Sequence, residues 1–377
     1  MTKPKPVKKA VEKTKGSTGR VPSLSSLQAK IEALDRQMVH LLNERTKLAV
    51  QIGTLRQDIG QPAFVLGEEE EKVSQTVVLS KGPLPERSLR AVFRELTSGC
   101  RSLVKEVRIA FMGPQYSYSH LAAIHRFGRS VEFMPVGNIA AVFEEVNRGH
   151  SDFGLVPLEN STDGRIADTL DMFTRLPMRI CGEVELEIHH ALLARCARAD
   201  IKEVYSRPQA LSQCRNWLVK HLPAARPIEV TSTSTAAQLA QEKPGAAAIA
   251  SLQAGIHYGL NVLAEQIEDN PGNTTRFAVI GEHHAPRTGR DKVAMMFQVE
   301  HRPGSLAEAV NVFKRNRLNL TWIESFPVPG TKGAYLFFVE MEGHQTDGRV
   351  RRAFEALKQK TLRLEILGSF PASNGPA

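Results

Sequence analysis

Two tryptophans, five tyrosines and four cysteines are all that the 377 residues hold of those types. The cysteines, Cys100, Cys181, Cys196 and Cys214, stand far apart and form no CxxC pair. That excludes a disulfide framework and a cysteine-held zinc site and leaves free thiols. Long apolar runs are also missing: nothing approaches the roughly 18 consecutive apolar residues of a membrane-spanning helix. The first residues hold no apolar core of a secretory signal, so a cytoplasmic protein is expected. Acids are scarce only in "MTKPKPVKKAVEKTKGSTGR", where seven Lys or Arg face one Glu, so this tail carries +6 of the formal +9. About +3 is left for the remainder, ordinary for a globular chain, and neither nucleic acid nor membrane is expected as a partner. The tail, residues 1–22, reads as disordered.

The length suits two or three domains. Apolar positions 27, 31, 34, 38, 41, 42, 48, 49, 52 and 55 keep a helical period and predict one long helix, serine-capped, of about 50 Å at 1.5 Å per residue. Such a helix cannot bury itself alone, and a dimer is the natural remedy. Glycine and proline at 60–62 end it, "GEEEEKVSQTVVL" begins a second helix, and "LPERSLRAVFRELTSGCRSLV" makes a third. Residues 23–105 thus read as an all-α, three-helix domain.

A strand over 107–112 then runs through a Gly-Pro loop into a helix beginning near Tyr118. Similar units follow in "DFGLVPLENSTDGRIADTLDMF", "EVYSRPQALSQCRNWL", "IEVTSTSTAAQLAQ" and "GAAAIASLQAGIHYGL". Each puts Ser, Thr or Asn where a strand ends and a helix starts, a place whose N–H groups and dipole favour anions. An α/β domain over 106–283 results. "NTTRF" (273–277) sets two threonines and an arginine at the mouth of the apolar run "AVIG", which suggests a gripped anion. After a linker, residues 292–368 read as strand 292–300, helix 305–316, strands 318–327 and 334–342, helix 347–359 and strand 362–368. That order is the ferredoxin-like split motif of α+β domains. Residues 369–377 read as a second tail.

Together, "GPQYSYSHLAA" (113–123), "VPLENSTDG" (156–164), "YSRPQAL" (205–211), "STSTAA" (232–237), "TRF" (275–277), "PGSLAEAV" (303–310) and "ESFP" (324–327) resemble, in order and spacing, the bifunctional chorismate mutase–prephenate dehydratases. The resemblance covers nearly everything after residue 22. It implies a chorismate-mutase-like helical domain, a two-lobed, periplasmic-binding-protein-like dehydratase domain with its site in the cleft, and an ACT domain that binds phenylalanine and feeds back on phenylalanine biosynthesis. Prephenate would be converted to phenylpyruvate, CO2 and water with no cofactor or metal. The implied catalytic residues are Thr275, the leading one, and Arg276, fixing substrate charge. Phe277, Asn160, Ser161, Thr162, Ser119, Ser206 and Gln209 would bind prephenate. Gly304, Ser305, Leu306, Glu324 and Ser325 would bind phenylalanine. A homodimer or larger assembly is expected.

Each reading has a plainer rival: Thr275 as a turn partner, Arg276 in an ion pair, Asn160, Ser161 and Thr162 as capping residues, and His120 as a packed core histidine. The pairs His189–His190 and His283–His284 suggest a metal only if their partners converge, and neighbours on a strand point to opposite faces. The chain also departs from the family pattern. Arg207 stands where the family has histidine, Tyr116 where it has glycine, and Phe326 where it has the arginine of Glu-Ser-Arg-Pro. In the helical domain Arg45 is kept, Arg56 replaces a lysine and Glu69 keeps a glutamate. The other expected polar groups fall at Gln28, Val65, Glu68, Cys100 and Val104, and residues 57–86 contain no arginine at all. A pericyclic step on a dicarboxylate needs cations, so the domain is expected to keep its fold and dimer role and to have lost most or all mutase activity. The alternative for the whole chain is a non-catalytic sensor of amino acids or carboxylates.

Overall fold

A computed structural model describes residues 23–328, 334–373 and 375. The basic tail expected over 1–22 lies outside them. The described chain falls into two compact units that divide after Ala49. Three helices come first, α1 (Leu24–Asp58), α2 (Leu66–Val78) and α3 (Glu86–Val104). In the first unit α1 leaves Leu27, Ile31, Leu34, Met38, Leu41 and Leu48 exposed, the unburied stripe that its period predicts. In the second unit Gly53 lets the end of α1 meet α3, since a Cβ there would lie 2.9 Å from a Val104 methyl.

Two α/β layers follow. The first comprises β1 (Arg108–Met112), α4 (Tyr118–Phe127), β2 (Glu132–Val136), α5 (Ile139–Asn147), β3 (Phe153–Asn160), β4 (Gly164–Arg165), α6 (Ala167–Arg175) and β5 (Arg179–Glu187). The second comprises β6 (Ala191–Ala194), β7 (Glu203–Ser206), α7 (Pro208–Gln213), α8 (Arg215–His221), β8 (Arg226–Glu229), α9 (Thr233–Glu242), β9 (Ala246–Ala250), α10 (Leu252–His257) and β10 (Asn261–Ala264). The chain then returns through β11 (Thr274–Gly281) into the first sheet, ordered β2-β1-β3-β11-β5 with β4 beside β3. The second sheet runs β10-β6-β9-β7-β8. Both sheets mix parallel and antiparallel pairs. β3 and β11 are buried almost throughout, as central strands covered on both faces must be.

The chain closes with β12 (Asp291–Gln298), α11 (Ser305–Arg315), β13 (Leu320–Pro327), β14 (Tyr335–Glu342), α12 (Gly348–Lys358) and β15 (Arg363–Pro371), in an antiparallel sheet ordered β13-β14-β12-β15. β15 is longer than the strand expected over 362–368: Ser369, Phe370 and Pro371 are buried within it rather than forming a tail, while 374, 376 and 377 lie outside the described residues. One face of this sheet packs against the first α/β layer, where Met296, Leu336, Phe338 and Phe370 share a core with Val156, Leu170, Phe173 and Ile280. Gly368 permits the approach, because a Cβ there would stand 2.1 Å from the Ile180 carbonyl oxygen of β5. No helix among the described residues is long and apolar enough to cross a membrane.

Candidate active site

A cleft of about 850 Å³ opens between the two α/β layers. Two helices aim their first turns into it. α4 is capped by Ser117, whose Oγ accepts from the His120 N–H, and presents Ser119; α9 is capped by Ser232, whose Oγ accepts from Thr235 N–H at 2.9 Å, and presents Thr233. One helix dipole from each layer therefore favours negative charge in the same space. Arg207 and Arg165 supply cations on its walls. Burial pulls the Arg207 pKa below its ordinary value and Asp163 pulls it back up; the group remains a guanidinium at neutral pH.

β11 brings Thr275 and Phe277 to the cleft floor. Among the described residues the threonine hydroxyl has one partner: Asn160 on the neighbouring strand donates Nδ2–H to Thr275 Oγ1 at 2.8 Å. The Asn160 amide cannot turn round: its Oδ1 accepts from the backbone N–H groups of Thr162 and Asp163, each at 3.0 Å. Thr275 must accept from Asn160, which leaves its own O–H free to donate. Asn160 also donates to Asn273 Oδ1 at 2.9 Å, Asn273 donates to Gln213 Oε1 at 3.0 Å, and Gln213 donates to Asp163 Oδ2 at 3.2 Å. The chain of amides ties the second layer to the first and holds the hydroxyl still.

Thr275, Phe277, Asn160, Ser119 and Gln209 thus come together as the sequence suggested. Arg276 does not. It points to the other face of the strand, into a separate 300 Å³ pocket, where it donates to Glu340 at 2.7 and 2.8 Å and to Glu183 and Glu159 at 3.3 Å. Burial opposes its charge, yet Glu340 and its neighbours outweigh burial and raise its pKa. The physical reason is the strand's alternation of faces; Arg207 and Arg165, rather than Arg276, line the cleft. Ser206 is also elsewhere, fully buried and donating to the Ile249 carbonyl at 2.7 Å. Ser161 closes the β3 and β11 ends by donating to Gly272 O at 3.2 Å and accepting from Thr274 N–H at 2.9 Å, and Thr162 donates to Asn273 Oδ1 at 3.3 Å. Neither lines the cleft.

Sequence reasoning gave Tyr118 and Gln213 no role and weighed His190 only as a possible metal ligand. Burial keeps the Tyr118 phenol protonated, its pKa well above the usual value, and its hydroxyl bonds His190 Nδ1 at 2.9 Å. His190 is pulled down by burial and is neutral; its Nε2 bonds Gln213 Oε1 at 2.9 Å. The neighbouring His189 turns instead to Glu268 at 2.8 Å, which raises its pKa. Tyr118 sits inside the "GPQYSYSHLAA" motif and could have been found; Gln213 carries no local signal. His120 is a core histidine: it is 6 % exposed, accepts from Tyr116 N–H at 3.0 Å, and burial followed by Arg129 pushes its pKa down to about 4. Tyr116 has φ +64°, a conformation that favours glycine, and its ring stacks on His257 at 3.9 Å.

Over residues 109–285 the sequence matches the family described as Prephenate dehydratase, and over 27–105 the one described as Chorismate mutase type II. A protein of Aquifex aeolicus named bifunctional chorismate mutase/prephenate dehydratase is 40% identical across 92% of this chain and 98% of its own length. The chain belongs to the bifunctional chorismate mutase/prephenate dehydratase family. Another member, from Pseudomonas aeruginosa, is 38% identical across 92% of this chain and 97% of that protein. Among solved structures, a prephenate dehydratase from Arthrobacter aurescens in complex with L-Phe superimposes with TM-score 0.67 at 35% identity, covering 72% of this chain and 92% of that one.

The remaining family positions divide in the same way. Arg45 lies on the part of α1 in the first unit. In the second, Arg56 pairs with Glu68 at 2.6 Å, whereas Glu69 pairs with Arg101 at 2.6 Å; Arg101 also donates to the Phe127 carbonyl of the dehydratase layer. Arg56 and Glu69 are thus engaged in separate ion pairs. In the last domain Gly304, at φ +87°, turns the chain into α11, and Ser305 and Leu306 line a cavity of about 400 Å³ with Val299, Arg302, Tyr335 and Phe337. Glu324 and Ser325 lie outside that cavity. Glu324 accepts from the cleft residue Arg165 at 2.9 Å, and Ser325 pairs across the sheet with Phe337. Phe326, the family's arginine position, packs into the core shared with the dehydratase layer.

Proposed function

We infer that this chain dehydrates prephenate to phenylpyruvate, and that its α/β stretch, residues 106–283, forms the two-lobed, periplasmic-binding-protein-like domain that does so. The observation that carries the reading is the Thr275 hydroxyl, oriented by Asn160 to donate into a cleft flanked by two helix N-termini and two arginines. Prephenate is a dianion, and the cleft offers charge for both carboxylates. As the ring carboxylate's C–C bond breaks, CO2 leaves and the electron pair enters the ring; the ring C–O bond breaks and hydroxide departs. The Thr275 O–H donates a hydrogen bond to that oxygen as its charge grows, and the departing hydroxide is neutralised to water by an acidic proton taken up from the bulk buffer. Phe277 and the cleft's apolar wall face the ring that becomes aromatic. Arg207 cannot shuttle a proton, so it binds rather than catalyses.

Residues 292–368 act as a ferredoxin-like ACT domain that takes phenylalanine at Gly304, Ser305 and Leu306. The buried Ser305 hydroxyl has no hydrogen-bond partner among the described residues, and the α11 N-terminus stands ready for a carboxylate. Residues 23–105 serve as a dimerisation scaffold whose mutase activity is largely lost; the ion pairs of Arg56 and Glu69 support that reading, and the exposed stripe of α1 supports a homodimer or larger assembly.

The test is phenylpyruvate formation by the purified full-length protein given prephenate, with Thr275→Ala beside it and chorismate offered to each. Turnover of prephenate alone, lost in Thr275→Ala, is the expected result. Binding of prephenate without turnover makes the cleft a sensor, and phenylpyruvate from chorismate means that the helical domain is a working mutase.

A further inference from the structure

Arg276 is adjacent to Thr275 and faces the other way, and what it meets belongs to both domains. Glu183 and Glu159 come from β5 and β3; Glu340 comes from β14 of the last domain, and the ring of Trp322, from β13, lies 5.2 Å from the guanidinium. Lys292 of β12 completes the cluster, donating to Glu183 at 2.7 and 3.0 Å. The Glu183 and Glu340 side chains are 1% exposed. Charges taken this far from water hold one another firmly, and losing one partner strands the rest. Along β11 the register against β3 slips between Arg276 and Phe277, so the cluster grips the strand beside a bulge, where a ladder is locally broken and most easily re-aimed.

We propose that Arg276 is a positioning residue through which the C-terminal domain sets the placement of the Thr275 hydroxyl in the cleft. Thr275 and Arg276 pair directly with Asn160 and Glu159 on β3. A shift of β14 against β11 moves Glu340, the guanidinium follows, and the next residue along the strand changes its reach. Ligand binding in the last domain thereby changes turnover and not substrate affinity, a coupling that rests on the dehydratase reading above.

The experiment compares wild type, Glu340→Gln, Arg276→Lys and Thr275→Ala as full-length proteins, with kcat, KM for prephenate and half-inhibition by phenylalanine measured for each. Glu340 touches nothing in the cleft. Its conversion to glutamine is expected to lower kcat about tenfold with KM within about threefold, to shift half-inhibition by about fivefold or more, and to be no worse when combined with Arg276→Lys, as members of one unit behave. Unchanged kcat and inhibition with a lowered melting temperature would overturn the proposal, leaving a mere interdomain tie. A raised KM at constant kcat would overturn it too. Should the variants not fold, Trp322 emission in Trp217→Phe decides: prephenate must change it, and silence sinks the coupling. Loss of turnover in wild type itself would count against the dehydratase reading instead.

Discussion

Replacing Thr275 by valine removes the hydroxyl and keeps the shape. Asn160 Nδ2 loses its 2.8 Å acceptor but retains Asn273 Oδ1 at 2.9 Å and the Thr274 carbonyl at 3.4 Å. One of several bonds to a buried amide is lost, so stability should fall by only about 1 kcal/mol. Catalysis loses more, because the donor meets charge that exists only as the C–O bond breaks. Removing one such preorganised donor costs roughly 3–4 kcal/mol, or about 10²–10³ in kcat, with little change in KM. Thr275→Ser restores the donor and gives up the methyl that fixes the rotamer; it should regain most of the rate. Steady-state phenylpyruvate formation and denaturant unfolding on the same preparations make the comparison. If Thr275→Val keeps more than about a tenth of wild-type kcat, the hydroxyl is not the decisive donor.

Arg207→Met removes a cleft cation and should raise KM for prephenate about tenfold or more with a smaller fall in kcat; an unchanged KM would reassign the substrate carboxylate to Arg165. Gly368→Ala forces a Cβ to within 2.1 Å of the Ile180 carbonyl, so the last sheet must shift on β5 at a cost of about 3 kcal/mol; a melting curve and a phenylalanine titration should both show the loss. His120 is held neutral in the fold, with a pKa of about 4 against about 6.5 unfolded. Its contribution is present above pH 6.5 and lost as pH falls towards 4, of order 3 kcal/mol in all; urea unfolding at a series of pH values should show that slope, and His120→Gln should flatten it.

Much of this architecture is legible in the amino-acid order. Periodicity placed α1, and the segments between its Gly-Pro stop and the first strand placed α2 and α3, within a few residues of their ends; strand-to-helix punctuation by Ser, Thr and Asn placed α4 and α9, whose first turns line the cleft. Those features are local: a cap serine bonds an N–H three residues away, and an apolar stripe needs only its own helix. The TRF triplet shows the limit. Its residue types announced a functional strand mouth, but side chains on a strand alternate, and only β14 and β12 packed behind β11 decide that Arg276 meets Glu340 while Thr275 meets the cleft. The same holds for Ser206, drawn into the core by the Ile249 carbonyl, for Gln213, brought to Asn273 from 60 residues away in sequence, and for Glu324, turned from the expected effector cavity to Arg165. Local propensity and capping were written in the sequence by itself; which charge meets which was decided by tertiary packing, because a buried ion takes the partner that the fold delivers within about 3 Å.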